Sequence, residues 1–283
     1  MSRSSGKRKK LRKKKRKNSP RIISNLNASN ADKHLLYLKS VQDAESAINF
    51  INDVFVHKKD KKPLSLREDF CGTALIAAAF VKSDIHRTAV GLDLDQETLN
   101  WGLKHNVTPL GNDSSRISLL KKDVLDGTPD IKFDVIAAFN FSYWVFKERK
   151  VLLDYFKSVL SSLNKDSVFL IDLHGGPDAQ FQMKEPSIID DFEYIWEQES
   201  FDPITHRTVC NIHFKFQDGS EIKNAFRYDW RYWTLPELKD ILREAGFSHL
   251  DVWWDDDNGD DDYEICESAE NMEAWVAYIA AWK

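Results

Sequence analysis

Leu66-Arg67-Glu68-Asp69-Phe70-Cys71-Gly72-Thr73-Ala74 is the most informative stretch of this 283-residue chain. A strand-like run with acids at its end breaks at Cys71-Gly72-Thr73. Small and apolar residues from Ala74 to Val81 then continue at helical spacing. A tight strand-to-helix turn of this kind lets a ligand lie against bare backbone, above the first N–H groups of a helix. Twenty-one residues beyond Gly72 comes Asp93, in Ala89-Val90-Gly91-Leu92-Asp93-Leu94-Asp95, a second buried strand with an acidic end. An acid about 20 positions past a glycine turn is the usual ribose-hydroxyl ligand of a nucleotide-binding α/β unit. The two features together point to a nucleoside-containing cofactor. No Gly-x-Gly-x-x-Gly follows the first strand, which argues against a nicotinamide dinucleotide.

Outward from this stretch, short apolar strands alternate with helices. Ala44, Ala47, Ile48, Ile51, Val54 and Phe55 form one helix face, and Lys58 to Lys62 read as a loop closed by Pro63. Strands are expected at Leu64–Phe70, Thr88–Asp93, Ile117–Leu120, Phe133–Phe139 and Ser167–Leu173, with helices at Ala74–Val81, Gln96–His105 and about Lys150–Leu163. Such alternation means a parallel sheet with right-handed crossovers. After Pro177 the period becomes two, at Tyr194–Phe201, Thr208–Phe216 and Glu221–Trp230, with Asp218-Gly219 as a hairpin turn. This predicts an antiparallel insertion spanning 178–233. A helix boxed by Thr234 and Glu237 stops at Gly246, and strands at His249–Trp254 and Ala274–Ala281 close the chain.

The ends differ in charge. Residues 1–21 hold twelve Lys/Arg and no acid, which leaves 28 Lys/Arg against 45 acids in the remainder, or −17. The block Lys7–Lys17 cannot bury a core, so residues 1–30 are expected to be a disordered basic tail ahead of one domain at 31–283. Its functional reading is a nuclear or nucleolar address, or contact with RNA or another polyanion through residues 3–17. Its plain reading is a solubilising extension. The acids between Asp251 and Glu264 suit a hard cation by type but lack the spacing of an EF-hand, and a solvated loop is expected. Cys71, Cys210 and Cys266 are scattered and odd in number, which suggests a reducing compartment. No apolar run approaches the ~20 residues of a membrane span, and no secretory start is seen, so the expected location is nucleus or cytoplasm.

The order of elements, with Arg67-Glu68-Asp69-Phe70-Cys71-Gly72-Thr73-Ala74, Phe139-Asn140-Phe141-Ser142-Tyr143-Trp144 and Tyr228-Asp229-Trp230-Arg231-Tyr232-Trp233, resembles the class I S-adenosylmethionine-dependent methyltransferases. The resemblance covers about residues 31–283, and the motifs look like one uncharacterised bacterial-type subfamily. It implies an α/β, Rossmann-like sheet of seven strands with the last antiparallel, carrying the antiparallel β insertion after the fifth strand. It also implies S-adenosyl-L-methionine as cofactor above the C-terminal strand edge. Glu68 holds the acidic place of the first motif and Gly72 its central glycine, while Phe70 and Ala74 stand where glycines are usual. Cys71, Gly72 and Thr73 would meet the methionine moiety, with Asn140 and Phe141 beside them. Asp93 would accept the ribose hydroxyls and Leu94 would flank the adenine. Asp123, with Val124, would read the adenine edge. Each acid has a plainer alternative as a turn or helix cap.

For chemistry, Tyr143, Ser142 and His174 leave strands at that edge, and His174 or Tyr143 could serve as a base. His174 could equally be a turn residue bonded to backbone. Arg227, Tyr228, Trp230 and Arg231, with Trp233, form an aromatic and charged cluster that could bind the acceptor; the alternative is a packed hairpin with Arg–Asp pairing. Tyr37, placed ahead of the first helix, could fold over the cofactor. The leading expectation is a methyltransferase of a small molecule with the insertion as its lid. The alternatives are a methyltransferase acting on RNA or an RNA-associated protein, and a non-catalytic RNA-binding scaffold. Neither an Asn/Asp-Pro-Pro-aromatic signature of amino-group methylation nor a pair of catalytic cysteines is present.

Overall fold

The computed structural model describes residues 25–255 and 263–283. The basic block Lys7–Lys17 and the acids of 256–262 lie outside the described residues, and so do the roles expected of them. In chain order the regular elements begin with α1 (Lys33–Val41), α2 (Ala44–Lys59), β1 (Ser65–Asp69), α3 (Leu75–Lys82), β2 (Thr88–Asp93), α4 (Gln96–Gly102), β3 (Ile117–Lys121), β4 (Phe133–Ala138), α5 (Arg149–Ser162) and β5 (Leu163–Gly175). They continue with β6 (Met183–Ile189), β7 (Phe192–Phe201), β8 (Arg207–Phe216), β9 (Glu221–Arg231), α6 (Leu235–Ala245), β10 (His249–Asp255), β11 (Tyr263–Ile265) and β12 (Trp275–Trp282).

The main sheet has eight strands in the order β11-β10-β12-β5-β4-β1-β2-β3. Seven of these are the expected Rossmann-like set, with β12 antiparallel to both β5 and β10; the three-residue β11 adds an edge strand. Strand alternation divides the core between two faces. Leu66, Val135, Val168, Leu170 and Ala280 pack with residues of α2 and α3, such as Ile51 and Phe80, on one face. Ile136, Phe169, Ile171 and Ile279 pack with residues of α5 and α6, such as Phe156 and Leu242, on the other.

The insertion is a separate four-stranded antiparallel sheet, β6-β7-β8-β9. Its apolar side buries Phe192, Ile212, Phe214 and Phe216 against Leu36 of α1. The sequence shows three of these strands. β6 escapes because Lys184, Glu185 and Pro186 interrupt any alternation, as an edge strand allows.

α1 also differs from expectation, since Tyr37 lies within it rather than ahead of the first helix. Only Leu36 of α1 is fully buried, so no apolar stripe announces the helix; the Asp32 carboxylate caps it by accepting from His34 and Leu35 N–H. Ordered packing starts before residue 31. Leu26, Ala28 and Ala31 join the insertion's apolar cluster, and Ala28 N–H donates to Ser220 Oγ at 3.0 Å.

Candidate active site

At the end of β1 the chain turns in left-handed conformations at Phe70 (φ 55°), Gly72 (φ 52°) and Ala74 (φ 55°). The positions where glycines are usual therefore keep a glycine-like backbone while carrying side chains. Each non-glycine there costs about 1–2 kcal/mol, so the surroundings must hold the turn. Arg67 and Asp69, on one side of β1, form a fully buried bidentate pair, both bonds 2.8 Å. Tyr155 hydroxyl donates to Asp69 Oδ2 at 2.8 Å, and Arg67 Nη1 donates to Thr128 Oγ1 at 3.0 Å. Phe70 packs its ring against Phe146 and Tyr155. On the other side of β1, Glu68 Oε2 accepts from Ala77 N–H at 2.9 Å. This supplies the helix-start acceptor that Ala74, standing at the N-cap of α3, cannot provide.

The next strand ends add two acids. Gly72 N–H donates to Asp93 Oδ2 at 2.8 Å and Asp95 N–H to Asp93 Oδ1 at 2.9 Å, which fixes the carboxylate across the β1 and β2 exits. Each oxygen keeps a further lone pair. Leu94 beside it is 62% exposed, an apolar surface suited to a flat ring. Asp123 Oδ1 accepts from Leu125 N–H at 2.9 Å, so it does cap its turn, and it borders the same space. Beyond β4, Asn140 and Phe141 are both left-handed (φ 58°). The buried Asp172 of β5 holds them, accepting from Asn140 N–H at 2.8 Å and Phe141 N–H at 2.9 Å. Burial pushes the Asp172 carboxyl up to about 7.

These strand ends open into one cavity of about 510 Å³, within the roughly 300–1,000 Å³ of small-molecule sites. Its floor includes Phe70, Cys71, Gly72, Thr73, Asp93, Leu94, Asp123, Val124, Asn140 and Ser142. Its roof is Lys33, His34, Tyr37 and Gln42 of and after α1, with Phe226, Tyr228 and Trp230 of β9. Tyr37 and Tyr228 both stand in this roof, and burial pushes Tyr37 up to about 12.

Several expected site residues fall elsewhere. Glu68 faces α3, and burial pushes its carboxyl up to about 8. Tyr143 is fully buried and donates its hydroxyl to Asp172 O at 2.9 Å, away from the cavity. His174 is closed in by Phe141, Trp144 and Tyr232, its Nε2 is buried without a partner, and burial pulls it down to about 4. A base role for His174 or Tyr143 therefore lacks access. Phe141 packs between His174 and Trp230, behind the wall. The period of two along β9 separates the aromatic and charged cluster: Tyr228 and Trp230 face the cavity, while Arg227 and Arg231 face away. Arg227 bonds Glu199 and Asn211, and Arg231 lies 3.7 Å over the Trp233 ring and donates to Lys147 O at 3.1 Å. The sequence reading missed Lys33, His34, Gln42 and Phe226 as lining residues and Asp172 as the support of the Asn140 turn. For Phe226 the alternation with Tyr228 and Trp230 carried the signal.

A β3-β2-β1-β4-β5 sheet continued by an antiparallel last strand, with acids at successive strand exits, is the class I S-adenosylmethionine-dependent methyltransferase fold, and this chain has it. An S-adenosylmethionine-dependent methyltransferase structure from Clostridium acetobutylicum superposes with a TM-score of 0.65 at 18% identity, over 88% of this chain and 97% of that one. CalS10, an amino pentose methyltransferase from Micromonospora echinaspora, superposes with a TM-score of 0.63 at 10% identity, over 88% and 95%. By sequence, the chain is 25% identical to YqeM of Bacillus subtilis, whose name proposes a methyltransferase, over 62% of this chain and 70% of that protein. No family model matches the chain.

Proposed function

We propose that this protein transfers a methyl group from S-adenosylmethionine to a small-molecule acceptor bound beneath the β6–β9 sheet. One observation carries the proposal: the acids Asp93 and Asp123 open into the same cavity that Tyr37, Tyr228 and Trp230 roof. Asp93 would hold the ribose hydroxyls and Leu94 one side of the adenine, with Asp123 and Val124 at the adenine edge. The Cys71-Gly72-Thr73 backbone and Asn140 would border the methionine end. The fit is supported by the fixed Asp93 carboxylate and by a cavity of about 510 Å³, within the roughly 300–1,000 Å³ of small-molecule sites. When bound, S-adenosylmethionine supplies an electrophilic methyl on a sulfonium. The chain's own part is to orient the acceptor in line with that methyl and keep water out, which needs no covalent catalyst. CalS10, an amino pentose methyltransferase, is in keeping with a small acceptor. No described helix is long and apolar enough to cross a membrane. The basic tail serves as a nuclear or nucleolar address in this proposal, rather than as part of the chemistry.

Calorimetric titration with S-adenosylhomocysteine tests it. A hydrogen bond to a charged group contributes about 1.5–3 kcal/mol, so Asp93→Asn should weaken binding by roughly 10- to 150-fold. Unchanged affinity would remove Asp93 from the site, and no binding by the unaltered protein would remove the function.

A further inference from the structure

We infer that Asp172 is a positioning residue of the donor site: its carboxylate holds the Asn140–Phe141 turn at the methionine end, and protonating it loosens that turn and weakens donor binding. This deepens the function proposed above and rests on it. Asp172 is buried behind the cavity wall and acts through backbone. Asn140 N–H donates to its Oδ2 at 2.8 Å and Phe141 N–H to its Oδ1 at 2.9 Å, so each oxygen takes one donor. Both residues stand at φ 58°, a conformation that Asn tolerates and a bulky Phe rarely adopts. Two adjacent left-handed residues need a hold from outside, and this carboxylate supplies it from the neighbouring strand.

The turn carries parts of both cavity walls. Asn140 and Ser142 line the floor on either side of Phe141. The Phe141 ring packs 4.8 Å from His174 and 6.4 Å from Trp230 of the roof. Ser142 hydroxyl donates to Phe139 O at 2.7 Å, and Trp144 N–H to Phe141 O at 2.9 Å, which ties the segment together. A shift at Asn140 therefore reaches the floor through Ser142 and the roof through Trp230.

Two N–H donors on two oxygens suit the ionised carboxylate. A protonated carboxyl carries a hydrogen on one oxygen, which opposes the N–H there, so one of the two bonds is lost. Burial pushes the carboxyl up to about 7 against the opposing pull of the Phe141 and Asn140 N–H groups, which places that loss near neutral pH. The groups facing Asp172 are Tyr143, whose hydroxyl goes to Asp172 O, Tyr37 of α1, and Tyr278, its register partner on β12. Burial pushes Tyr143 well above the ordinary phenol range and Tyr37 up to about 12, and pulls His174, two residues along β5, down to about 4. None of these three changes charge near pH 7. Stability and affinity then respond to pH in opposite directions. A carboxyl raised by folding contributes stability that is complete below about 3.8 and lost as pH rises through about 7. Donor affinity needs the ionised form and rises through the same range. An acid with a purely structural role would leave affinity unmoved.

Calorimetry with S-adenosylhomocysteine tests this on the full chain from about pH 5.5 to 8, with Glu68→Gln as background to remove the titration of Glu68. Affinity should rise about tenfold with pH, the weight of one hydrogen bond to a charged group. Adding Asp172→Asn presents the turn with one oxygen and one NH2, as the protonated acid does with its hydroxyl. That protein should keep the low-pH affinity throughout, and the Tm of its Asp172 counterpart should fall relative to it towards pH 7. An equal rise in both proteins overturns the proposal, and so does no rise in either. If the Asp172→Asn protein does not fold, carbon-13 carboxyl NMR of labelled aspartates in the background protein decides. The carboxyl titrating near 7 should drop by about one pH unit when S-adenosylhomocysteine binds, the reciprocal of the tenfold change; an unmoved midpoint overturns the proposal. Binding without a pH response removes the role of Asp172 alone, whereas no binding at any pH removes the proposed function with it.

Discussion

Glu68 shows how a single acid can hold the place of a motif and do different work. It sits on β1 with Arg67 and Asp69 on the opposite side, so its carboxyl turns towards α3 and meets Ala77 N–H rather than the cavity. Desolvation is the main cause of its raised pKa, about 8 against 4.5 for an ordinary glutamate, with the charges of Asp93 and Asp69 adding to it. The protonated form is therefore the one the fold prefers. Its stabilising contribution is complete below about pH 4.5 and is lost as pH rises towards 8. Glu68→Gln keeps an oxygen for Ala77 N–H and cannot ionise. The variant should gain on the unaltered protein across that window, by on the order of 5 kcal/mol at most, read as Tm against pH. Asp172 and His174 titrate in both proteins and cancel in the difference. A constant Tm gap from pH 5 to 9 would show that Glu68 does not titrate in this window.

At the scale of elements, the site depends on α4 touching the β1–α3 turn with nothing between. A Cβ on Gly102 would lie 2.3 Å from Thr73 O, a backbone atom that also accepts from Asn106 Nδ2 at 2.8 Å. Gly102→Ala must push α4 or the turn aside, and such overpacking costs about 1–3 kcal/mol. Because Thr73 lines the cavity, S-adenosylhomocysteine affinity should fall together with Tm; a fall in Tm alone would mean that α4 moves and the turn does not. Elements with strong periodicity were legible from sequence: β1 to β5, α2, α3 and the boxed α6 all lie close to their expected places. α1 and β6 were not, because one buries a single leucine and the other is a polar edge strand. In the site, acids at strand exits could be read from order and spacing, and the structure brings Asp93 and Asp123 to one cavity. Asp172 could not, since its partners are backbone N–H groups made available only by the left-handed turn at Asn140 and Phe141.

For the whole molecule, the division of charge is the property that no single element carries. Every residue lining the cavity lies between Lys33 and Trp230, and the packing that positions α1 begins at Leu26. Residues 1–24 contribute twelve positive charges, and without them the chain carries about −17 instead of −5. Such a basic block binds polyanions by releasing counterions, with log K falling by about 0.7 per phosphate contacted for each unit of log salt on single strands. Deleting residues 1–24 should therefore leave S-adenosylhomocysteine affinity within twofold and Tm within about 2 °C. Binding to a poly(U) oligonucleotide, together with its steep salt dependence, should disappear. The remaining acidic body should repel RNA, most strongly below about 0.05 M salt, where screening is weakest. Equal poly(U) affinity before and after deletion would place the polyanion contact on the folded domain. A loss of acceptor turnover on deletion would instead make the tail part of the chemistry and favour an acceptor delivered on RNA.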